Sequence, residues 1–502
     1  MYAADIRAGA LIEPGHMLWR PLGHLIGVVL RQQPTSSNIL WQLQFLCLGA
    51  SVLAVAAMYI IASRMYGSSV GFLAAMLMMV SNGFWSYSFS GCAYTLSVLF
   101  TTIALGFAIS AGGATIAPFG ALSAGIFGGL AGATWAVQLL AAPALWLALM
   151  LTPGRDRISP MSQLKNTALL VAGYALAFVI PLLLAYAVHL GYARGLDAGR
   201  SGNVGLIAWL SSSDHGVAGH YSVAQALRVA MGWPQSVISA SDIGEKLRLW
   251  YTREAGFPVS AWLGVFVVVF GALAAGIRAL VKGYARLDNR DRGVVVACVA
   301  AITTNLLFAA AWKGTDLERY LPSWPFQLLL IALITKWITD RLSSRYIVIV
   351  GVAIITSVAI INWYGTFEPI LAPDSYRQAW LQALRQQTSA SDLVILFGQR
   401  TRVVESPHDP NMPRIDRVSN DIITHGDKWR LVVLGNIAQT KRRGGRVFLA
   451  DSLFGTTSTP RDGWSFKERP TPSPSELESV FLPFKSDRIA FVIRGERVWI
   501  GK

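Results

Sequence analysis

The sequence predicts a bundle of transmembrane helices followed by a small soluble α/β domain. Of the 502 residues, 53% are hydrophobic and 14% are charged, whereas soluble domains carry about 25% charged residues. The deficit is confined to residues 38–365, a series of long apolar runs. A membrane helix needs roughly 20 mostly apolar residues, and its backbone must satisfy its own hydrogen bonds in lipid. The predicted fold class is therefore mainly α, a polytopic helical bundle with a C-terminal α/β or α+β extramembrane domain at residues 366–502.

Ten apolar segments within residues 38–365 meet the length criterion for a membrane span. They are residues 38–63, 68–89, 92–111, 114–131, 134–151, 167–190, 260–281, 293–312, 321–340 and 346–365. Gly125, Gly128, Gly129 and Gly132 predict close packing between helices.

The segments outside these spans also carry predictions. Residues 1–37 form an outer-face loop whose short apolar stretch, residues 17–31, suits an interfacial helix. Residues 191–259 form a large outer loop that is too long to be a simple connector. In the C-terminal domain, Ser375–Gln387 is predicted as a helix. Five short apolar runs are predicted as strands, namely Leu393–Phe397, Leu431–Leu434, Val447–Ala450, Ile489–Ile493 and Val498–Ile500.

Basic residues fall in alternate loops, which predicts the orientation because cytoplasmic loops are rich in Lys and Arg. The cytoplasmic set is Arg64, Arg155, Arg157, Lys165, Lys282, Arg286, Arg290, Arg292, Lys336, Arg341 and Arg345. The first 37 residues, residues 191–259, residues 313–320 and the C-terminal domain then face outward, in a bacterial inner membrane. Ten crossings that begin and end outside leave two alternatives: a further helix ahead of residue 1, which the regular charge alternation favours, or one wrong span among the ten.

The net charge of +15 is accounted for by these loops and a mildly basic C-terminal domain. Nucleic-acid binding would need a basic stripe with interleaved aromatic residues. The short run Lys441–Arg443 with Arg446 is more typical of contact with anionic lipid headgroups. The three cysteines lie in or beside apolar runs without C-x-x-C spacing, so neither a disulfide framework nor a zinc site is predicted.

Ionisable residues beside a membrane are costly and are therefore candidates for function. Asp5 and Glu13 could act as general bases on an acceptor hydroxyl. His16 and Arg20 follow them and could hold a phosphate. The alternative interpretation is that these residues are only a polar segment preceding the interfacial helix.

Two further clusters lie in predicted outer loops. The first is Lys313, Asp316, Glu318, Arg319 and Tyr320, whose cations suit a lipid-linked phosphate. Its alternative is a solvated turn with internal ion pairs. The second is Asp214, His215 and His220, a weak metal or substrate signal that a plain surface loop also explains. No cofactor is certain, and a divalent metal ion is left open. The sequence has no Walker loop, dinucleotide fingerprint or nucleophile elbow.

Four stretches in the same order resemble the multi-spanning, C-type glycosyltransferases, including the protein mannosyltransferase and aminoarabinose transferase group. G-H-M-L-W-R-P-L-G at residues 15–23 resembles the family's H-P-P-G-Y-P-L-Y stretch. Residues 81–95 resemble its F-W-x-x-A-x-x-x-E-V-Y turn, with Cys92 in place of Glu. G-L-A-G-A-T-W-A-V-Q-L-L-A-A-P-A-L at residues 129–145 lacks the family's frequent histidine. E-R-Y-L-P-S-W-P at residues 318–325 is similar to R-Y-x-x-P-x-x-P.

The resemblance implies an enzyme that takes a sugar from a polyprenyl-phosphate carrier and transfers it on the extracytoplasmic side with inversion. The acceptor would be a glycan, a glycolipid or a protein. An acid in the first outer loop would serve as base and basic residues would hold the carrier phosphate. In the family this acid lies further upstream than Glu13, and Asp5 is the nearest candidate in position.

Two other functions fit the sequence. A transporter or flippase of a lipid-linked sugar needs broken helices or charges in mid-membrane, for which Pro143 and Pro181 are the best signals. A scaffold would depend on the C-terminal domain instead of the charged outer loops. The predicted spans are nearly free of charge, which favours the enzyme.

Overall fold

The computed structural model divides the chain into two compact units, Met1–Thr366 and Phe367–Lys502. It describes residues 6, 14–31, 36–111, 117–151, 160–195, 229, 232–238, 264, 267, 271, 274–311, 317–341, 344–364, 376–397, 412–418, 428–454, 474–493 and 496–501. Each unit is built around hydrophobic clusters of its own residues.

The described part of the first unit is helical. Its α-helices are α1 (Trp19–Val29), α2 (Ser36–Tyr66), α3 (Ser68–Val80), α4 (Asn82–Ser88), α5 (Tyr94–Ser110), α6 (Ala117–Thr134), α7 (Ala142–Leu151), α8 (Pro160–Gly195), α9 (Asn289–Ala311), α10 (Trp324–Thr339) and α11 (Ser344–Asn362). Short 3-10 helices cover Pro14–His16, Ala136–Ala141, Tyr284–Arg286 and Leu317–Ser323.

Several of these helices are long and apolar enough to cross a membrane, and the chain is an integral membrane protein. Five described helical stretches qualify by themselves: Asn38–Tyr66, Ala168–Ala187, Asn289–Ala311, Leu317–Thr339 and Arg345–Asn362. The bent pair α3 and α4 makes a sixth if it counts as one span. Tyr94–Ser110 and Ala136–Leu151 are apolar but shorter. The count of ten spans stays a prediction.

The predicted span 68–89 is broken in the structure. Helices α3 and α4 meet at Ser81 with a bend of 63°. Ser81 has an extended backbone with ψ 138°, and its hydroxyl donates to the Met78 carbonyl at 2.9 Å. An apolar run does not reveal such a break, because the residues on both sides are equally hydrophobic.

Glycines bring α6 against α8, as the small residues predicted. A Cβ on Gly125 would lie 2.4 Å from the Tyr174 carbonyl oxygen, and one on Gly129 would lie 2.3 Å from that of Phe178. Both contacts are shorter than any side chain tolerates. The two helices therefore approach backbone to backbone, as in the close-packed pairs of membrane proteins.

The second unit contains a mixed five-stranded sheet. Its strands are β1 (Leu393–Leu396), β2 (Arg414–Arg417), β3 (Val447–Ala450), β4 (Lys485–Ile493) and β5 (Glu496–Gly501), and its helices are α12 (Tyr376–Gln387), α13 (Trp429–Arg442) and α14 (Pro474–Phe481). The strand order is β2-β1-β3-β5-β4. Strand β1 pairs in parallel with β2 and β3, whereas β5 pairs antiparallel with β3 and β4. Alternate residues of β1 and β3 enter cores on opposite faces of the sheet.

Two assignments in this unit differ from the sequence prediction. Leu431–Leu434, predicted as a strand, lies inside α13. Trp429, Val433 and Ile437 are buried and recur every four residues. This helical spacing extends beyond the four-residue run and favours a helix over a strand. Strand β2, with the sequence Arg-Ile-Asp-Arg, was not predicted because it lacks an apolar run. The predicted helix and the other four predicted strands are present.

Asp392 joins the starts of β1 and β3. One carboxylate oxygen accepts the Arg446 backbone N–H at 2.7 Å. The other accepts the Ser389 N–H and an Arg446 Nη2–H, each at 2.8 Å. Burial raises the pKa of this carboxyl, but the hydrogen bonds from Arg446 and Ser389 outweigh it and hold the pKa below its usual range.

Candidate functional site

Five of the sequence-predicted site residues lie in the described part of the chain: His16, Arg20, Glu318, Arg319 and Tyr320. Six lie outside the described residues: Asp5, Glu13, Lys313, Asp316, His215 and His220. The same holds for Asp214. The roles of all eleven predicted site residues stay predictions, and the geometry that follows concerns the first five.

His16 ends the 3-10 helix Pro14–His16 and is 7% exposed. Its Nδ1 lies 3.4 Å from the carbonyl oxygen of Thr134, the last residue of α6. A carbonyl can only accept, so Nδ1 carries the proton in this contact. Two residues later, the Leu18 backbone N–H donates to the Ala133 carbonyl at 3.1 Å. The start of the chain is thus tied to the C-terminal end of α6.

The surroundings of His16 keep its ring uncharged. Burial lowers the pKa of His16 to about 3, although its hydrogen bond to Thr134 acts in the opposite direction. The positive charges of Arg20 and Arg319 lower the pKa further. The imidazole is therefore neutral at physiological pH and adds no charge to a phosphate site.

Arg319 lies close enough to His16 for its charge to act on the imidazole, which places parts of the two predicted charge clusters near each other. Arg20 lies in the first turn of α1 and is 8% exposed. Arg319 lies in the 3-10 helix Leu317–Ser323, where its Nη2 is 3.0 Å from Glu318 Oε1. Two guanidinium groups from distant parts of the sequence therefore act on one imidazole. Such groups bind phosphate oxygens through charge-assisted hydrogen bonds.

A buried hydrogen-bond network holds the Arg319 backbone. Asn305 of α9 donates its Nδ2–H to the Arg319 carbonyl at 2.7 Å. The Asn305 Oδ1 lies 2.8 Å from the Ser323 hydroxyl, which accepts from Gln327 Nε2 at 2.7 Å. Tyr320 is fully buried, and its hydroxyl lies 3.5 Å from the Val229 carbonyl. Arg319 thus projects from a segment fixed by two neighbouring helices.

Aromatic rings pack beside His16. The ring of Tyr94 lies 5.9 Å from that of His16, 4.8 Å from Tyr87 and 4.6 Å from Trp135. Trp135 is extended, with φ −149° and ψ 112°, and separates α6 from the 3-10 helix Ala136–Ala141. This break turns Trp135 toward Tyr94.

The turn before Tyr94 is fixed from two sides. The Trp19 indole Nε1–H donates to the Gly91 carbonyl at 3.1 Å. Gly91 has φ +71°, and a Cβ there would lie 3.2 Å from Leu40. Cys47 of α2 donates its Sγ–H to the Cys92 carbonyl at 3.0 Å. Cys92, at the position where the resemblance predicts Glu, carries a thiol.

The comparisons with known proteins concern the fold. ArnT from Cupriavidus metallidurans in the apo state superposes with a TM-score of 0.51 at 10% identity, over 92% of this chain and 83% of that one. The chain has the fold of ArnT. The predicted resemblance to C-type glycosyltransferases is thereby confirmed at the level of the fold, as is the predicted fold class.

More distant matches have TM-scores below 0.5. ArnT bound to undecaprenyl phosphate gives 0.49 at 10% identity, over 99% of this chain and 92% of that one. The Archaeoglobus fulgidus oligosaccharyltransferase with zinc and sulfate gives 0.44 at 11% identity, over 90% and 62%. No protein-family model matches the sequence, and no curated protein matches it significantly.

Within the described residues of this ArnT fold, no group of three His, Cys, Asp or Glu side chains could hold a metal ion. The gathered donors, two guanidiniums and a neutral imidazole tied to a carbonyl, suit an anion and do not fit a divalent cation. A metal ion would need acidic ligands from outside the described residues.

The sequence reasoning assigned no role to Tyr94, Trp135, Gln138 or Asn305. Gln138 and Asn305 carried a usable signal, since an amide inside an apolar run is expensive in a membrane. Tyr94 and Trp135 carried none, because aromatic residues are common in such runs. The structure places Tyr94 beside the His16 ring and Trp135 against Tyr94.

Proposed function

We propose that the chain is a membrane glycosyltransferase that takes a sugar from a polyprenyl-phosphate carrier. It transfers the sugar on the extracytoplasmic side of a bacterial inner membrane to a glycan, a glycolipid or a protein. The observation that carries this proposal is the meeting of Arg20 and Arg319 at neutral His16, in a chain with the ArnT fold.

The two arginines supply what a lipid-linked phosphate needs. Both side chains are largely buried, so their charges are less screened than at a surface. When the bond between sugar and phosphate breaks, negative charge grows on the phosphate oxygens. Donors already directed at that charge stabilise the transition state more than the ground state. Lys313 is proposed to add a third cation.

The proton of the acceptor hydroxyl needs a base other than His16, whose pKa of about 3 makes it too weak at neutral pH. Glu318 is paired with Arg319. Asp5 and Glu13 are therefore the proposed bases, as the family resemblance implies. The base removes the proton while the hydroxyl oxygen attacks the anomeric carbon, and the phosphate leaves from the opposite face with inversion. Asp316, His215 and His220 are proposed to contact the substrates.

The proposed orientation rests on the basic helix ends. The Tyr66 hydroxyl at the end of α2 donates to Asp291 Oδ1 of α9 at 3.3 Å, and Lys336 of α10 lies close enough to Asp291 for their charges to interact. The ends that carry Arg64, Arg290 and Lys336 thus gather on one side. Positive charge marks the cytoplasmic side, so Arg319, at the other end of the Leu317–Thr339 segment, faces outward.

The test is sugar transfer by the full chain in proteoliposomes supplied with labelled polyprenyl-phosphate sugars. Arg20→Gln and Arg319→Gln each remove charge-assisted hydrogen bonds and should lower turnover roughly tenfold to a hundredfold. Arg341→Gln is the matched control, because Arg341 is exposed at the basic end. Asp5→Asn and Glu13→Gln identify the base. Label that crosses the membrane without a glycosidic product would favour the flippase, and silent arginine variants would refute the enzyme.

A further inference from the structure

Gln138 presents a buried hydrogen-bond donor that the fold does not use. It lies in the 3-10 helix Ala136–Ala141 and is 2% exposed. The hydroxyl of Thr101, on α5, donates to its Oε1 at 2.8 Å. That bond orients the carboxamide, because a hydroxyl hydrogen requires the oxygen. The Nε2 then has no hydrogen-bond partner in the described part of the chain.

Trp324 presents a second donor of the same kind. It is the first residue of α10 and is 1% exposed, and its indole Nε1 has no acceptor among the described residues. The nearby amide of Gln327, by contrast, is hydrogen-bonded through both its oxygen and its nitrogen. Gln327 uses both ends, accepting from Trp233 at 3.0 Å and donating to Ser323 at 2.7 Å.

Both donors lie on elements next to those that carry Arg319 and His16. The Ala136–Ala141 helix contacts the Leu317–Ser323 segment, which carries Arg319, and the Pro14–His16 segment, which carries His16. Trp324 directly follows Ser323 in the chain. The two free N–H groups therefore lie on elements that contact or directly follow those carrying the guanidinium and the imidazole.

An unpaired buried donor costs about as much free energy as a lost hydrogen bond, and each such group in a native protein needs an explanation. Indole and carboxamide N–H groups are neutral and can only donate here. They therefore suit uncharged oxygen acceptors, whereas the charged guanidiniums suit the phosphate. In a sugar phosphate, the hydroxyl and ring oxygens lie directly beside the phosphate.

We propose that Gln138 Nε2 and Trp324 Nε1 donate hydrogen bonds to oxygens of the sugar carried on the polyprenyl phosphate and so select that sugar. This inference rests on the proposed function. Thr101 is a positioning residue that holds the Gln138 carboxamide. A site built to bond a substrate hydroxyl rejects analogues that lack it, because its own donors are then left unpaired.

The experiment measures binding to the full chain in nanodiscs. The probes are bare undecaprenyl phosphate and undecaprenyl-phospho-glucose, -mannose and -arabinose. For the wild-type chain we expect at least one sugar lipid to bind more tightly than the bare carrier. Gln138→Met removes the donor without adding a charge near the phosphate, and Trp324→Phe removes the indole N–H. Each should weaken binding of that sugar lipid roughly tenfold to a hundredfold and leave the bare carrier unchanged.

Paired controls separate recognition from folding. Thr101→Val frees the carboxamide and should weaken the sugar preference. Thr102→Val should not, because Thr102 donates to the Val98 carbonyl of its own helix. If the variants keep the wild-type preference, or if the wild type shows none, the inference is overturned and the donors hold water or nothing. If the variants lose affinity for bare undecaprenyl phosphate as strongly as for the sugar lipid, the inference is also overturned. A wild-type chain that binds no phosphate lipid refutes the proposed function itself.

Discussion

At the scale of single residues, burial decides which side chains at the arginine site carry charge. His16 and Arg20 are both largely buried, yet the imidazole can lose its proton whereas a guanidinium cannot. The positive charge of this region therefore resides on Arg20 and Arg319. The predicted role of His16 in holding a phosphate stays a prediction, but the sequence could not show that burial and two arginines keep the ring neutral.

The neutral state of His16 predicts an acid-sensitive stability. Its pKa falls from 6.5 to about 3 on folding, so between these values the unfolded chain binds the proton more tightly. The contribution of neutral His16 to the free energy of unfolding is complete above pH 6.5 and is lost as the pH falls toward 3. We expect a loss of about 3 kcal/mol at about pH 4.5, measured by thermal unfolding in detergent. His16→Gln should flatten this dependence, while His24→Gln, at an exposed position, should retain it. An unchanged slope in His16→Gln would show that other groups govern the acid response.

At the scale of elements, local composition predicted helices well and their irregularities poorly. The long helices follow from apolar runs that any lipid environment forces into helical hydrogen bonding. The 63° bend at Ser81 and the break at Trp135 depend on neighbouring helices, so the apolar runs gave no sign of them. Leu431–Leu434 was assigned to the wrong element because four apolar residues fit a strand and a buried helix turn equally well.

The glycine contact between α6 and α8 predicts a strong local effect of added volume. Gly129→Val would push methyl groups into the Phe178 carbonyl and should destabilise the protein by about 1–3 kcal/mol, as overpacking does. The free energy of unfolding in mixed micelles measures the change. Gly49→Val serves as the control, because a Cβ at Gly49 meets nothing within 4 Å. Equal stability of the two variants would mean that α6 and α8 can separate without cost.

The carboxylate of Asp392 predicts a comparable effect in the second unit. Asp392→Ala leaves the N–H groups of Ser389 and Arg446 without their acceptor and should cost about 2–4 kcal/mol. Because folding lowers its pKa, this contribution is present above the unfolded pKa and is lost as the pH falls through the folded one. Chemical unfolding of the full chain, followed by hydrogen exchange of β1 and β3, measures it. Asp340→Ala, which removes an exposed ion pair with Lys336, should change stability by less than about 1 kcal/mol. Equal effects would assign no special role to the buried carboxylate.

At the scale of the whole molecule, the sequence predicted a boundary near residue 366, where the two compact units divide, but not the assembly of the site. Composition changes abruptly near residue 366, which is a local signal. The meeting of Arg319 with His16 depends on how α6, α9 and α10 pack. No pattern within either stretch contains that information, and the family resemblance was the sole link between them.

The proposed orientation predicts the location of both chain regions. A reporter active only outside the cytoplasm should be active when fused after Lys502. One inserted between α10 and α11, near Arg341, should be silent, because the basic ends face the cytoplasm. The reverse pattern would place Arg20 and Arg319 on the cytoplasmic side and would contradict transfer from an outward-facing carrier.

The distance along the chain between His16 and Arg319 also has a consequence for biosynthesis. About 300 residues separate them, which a ribosome needs roughly 15–60 s to add at 5–20 residues per second. During that time α1 is already made, but the segment Leu317–Ser323 that brings Arg319 to His16 does not yet exist. A nascent chain halted before residue 317 should therefore carry inserted helices and no phosphate affinity. The growing protein gains its anion site late in translation, when the helix pair α9 and α10 is delivered to the bilayer.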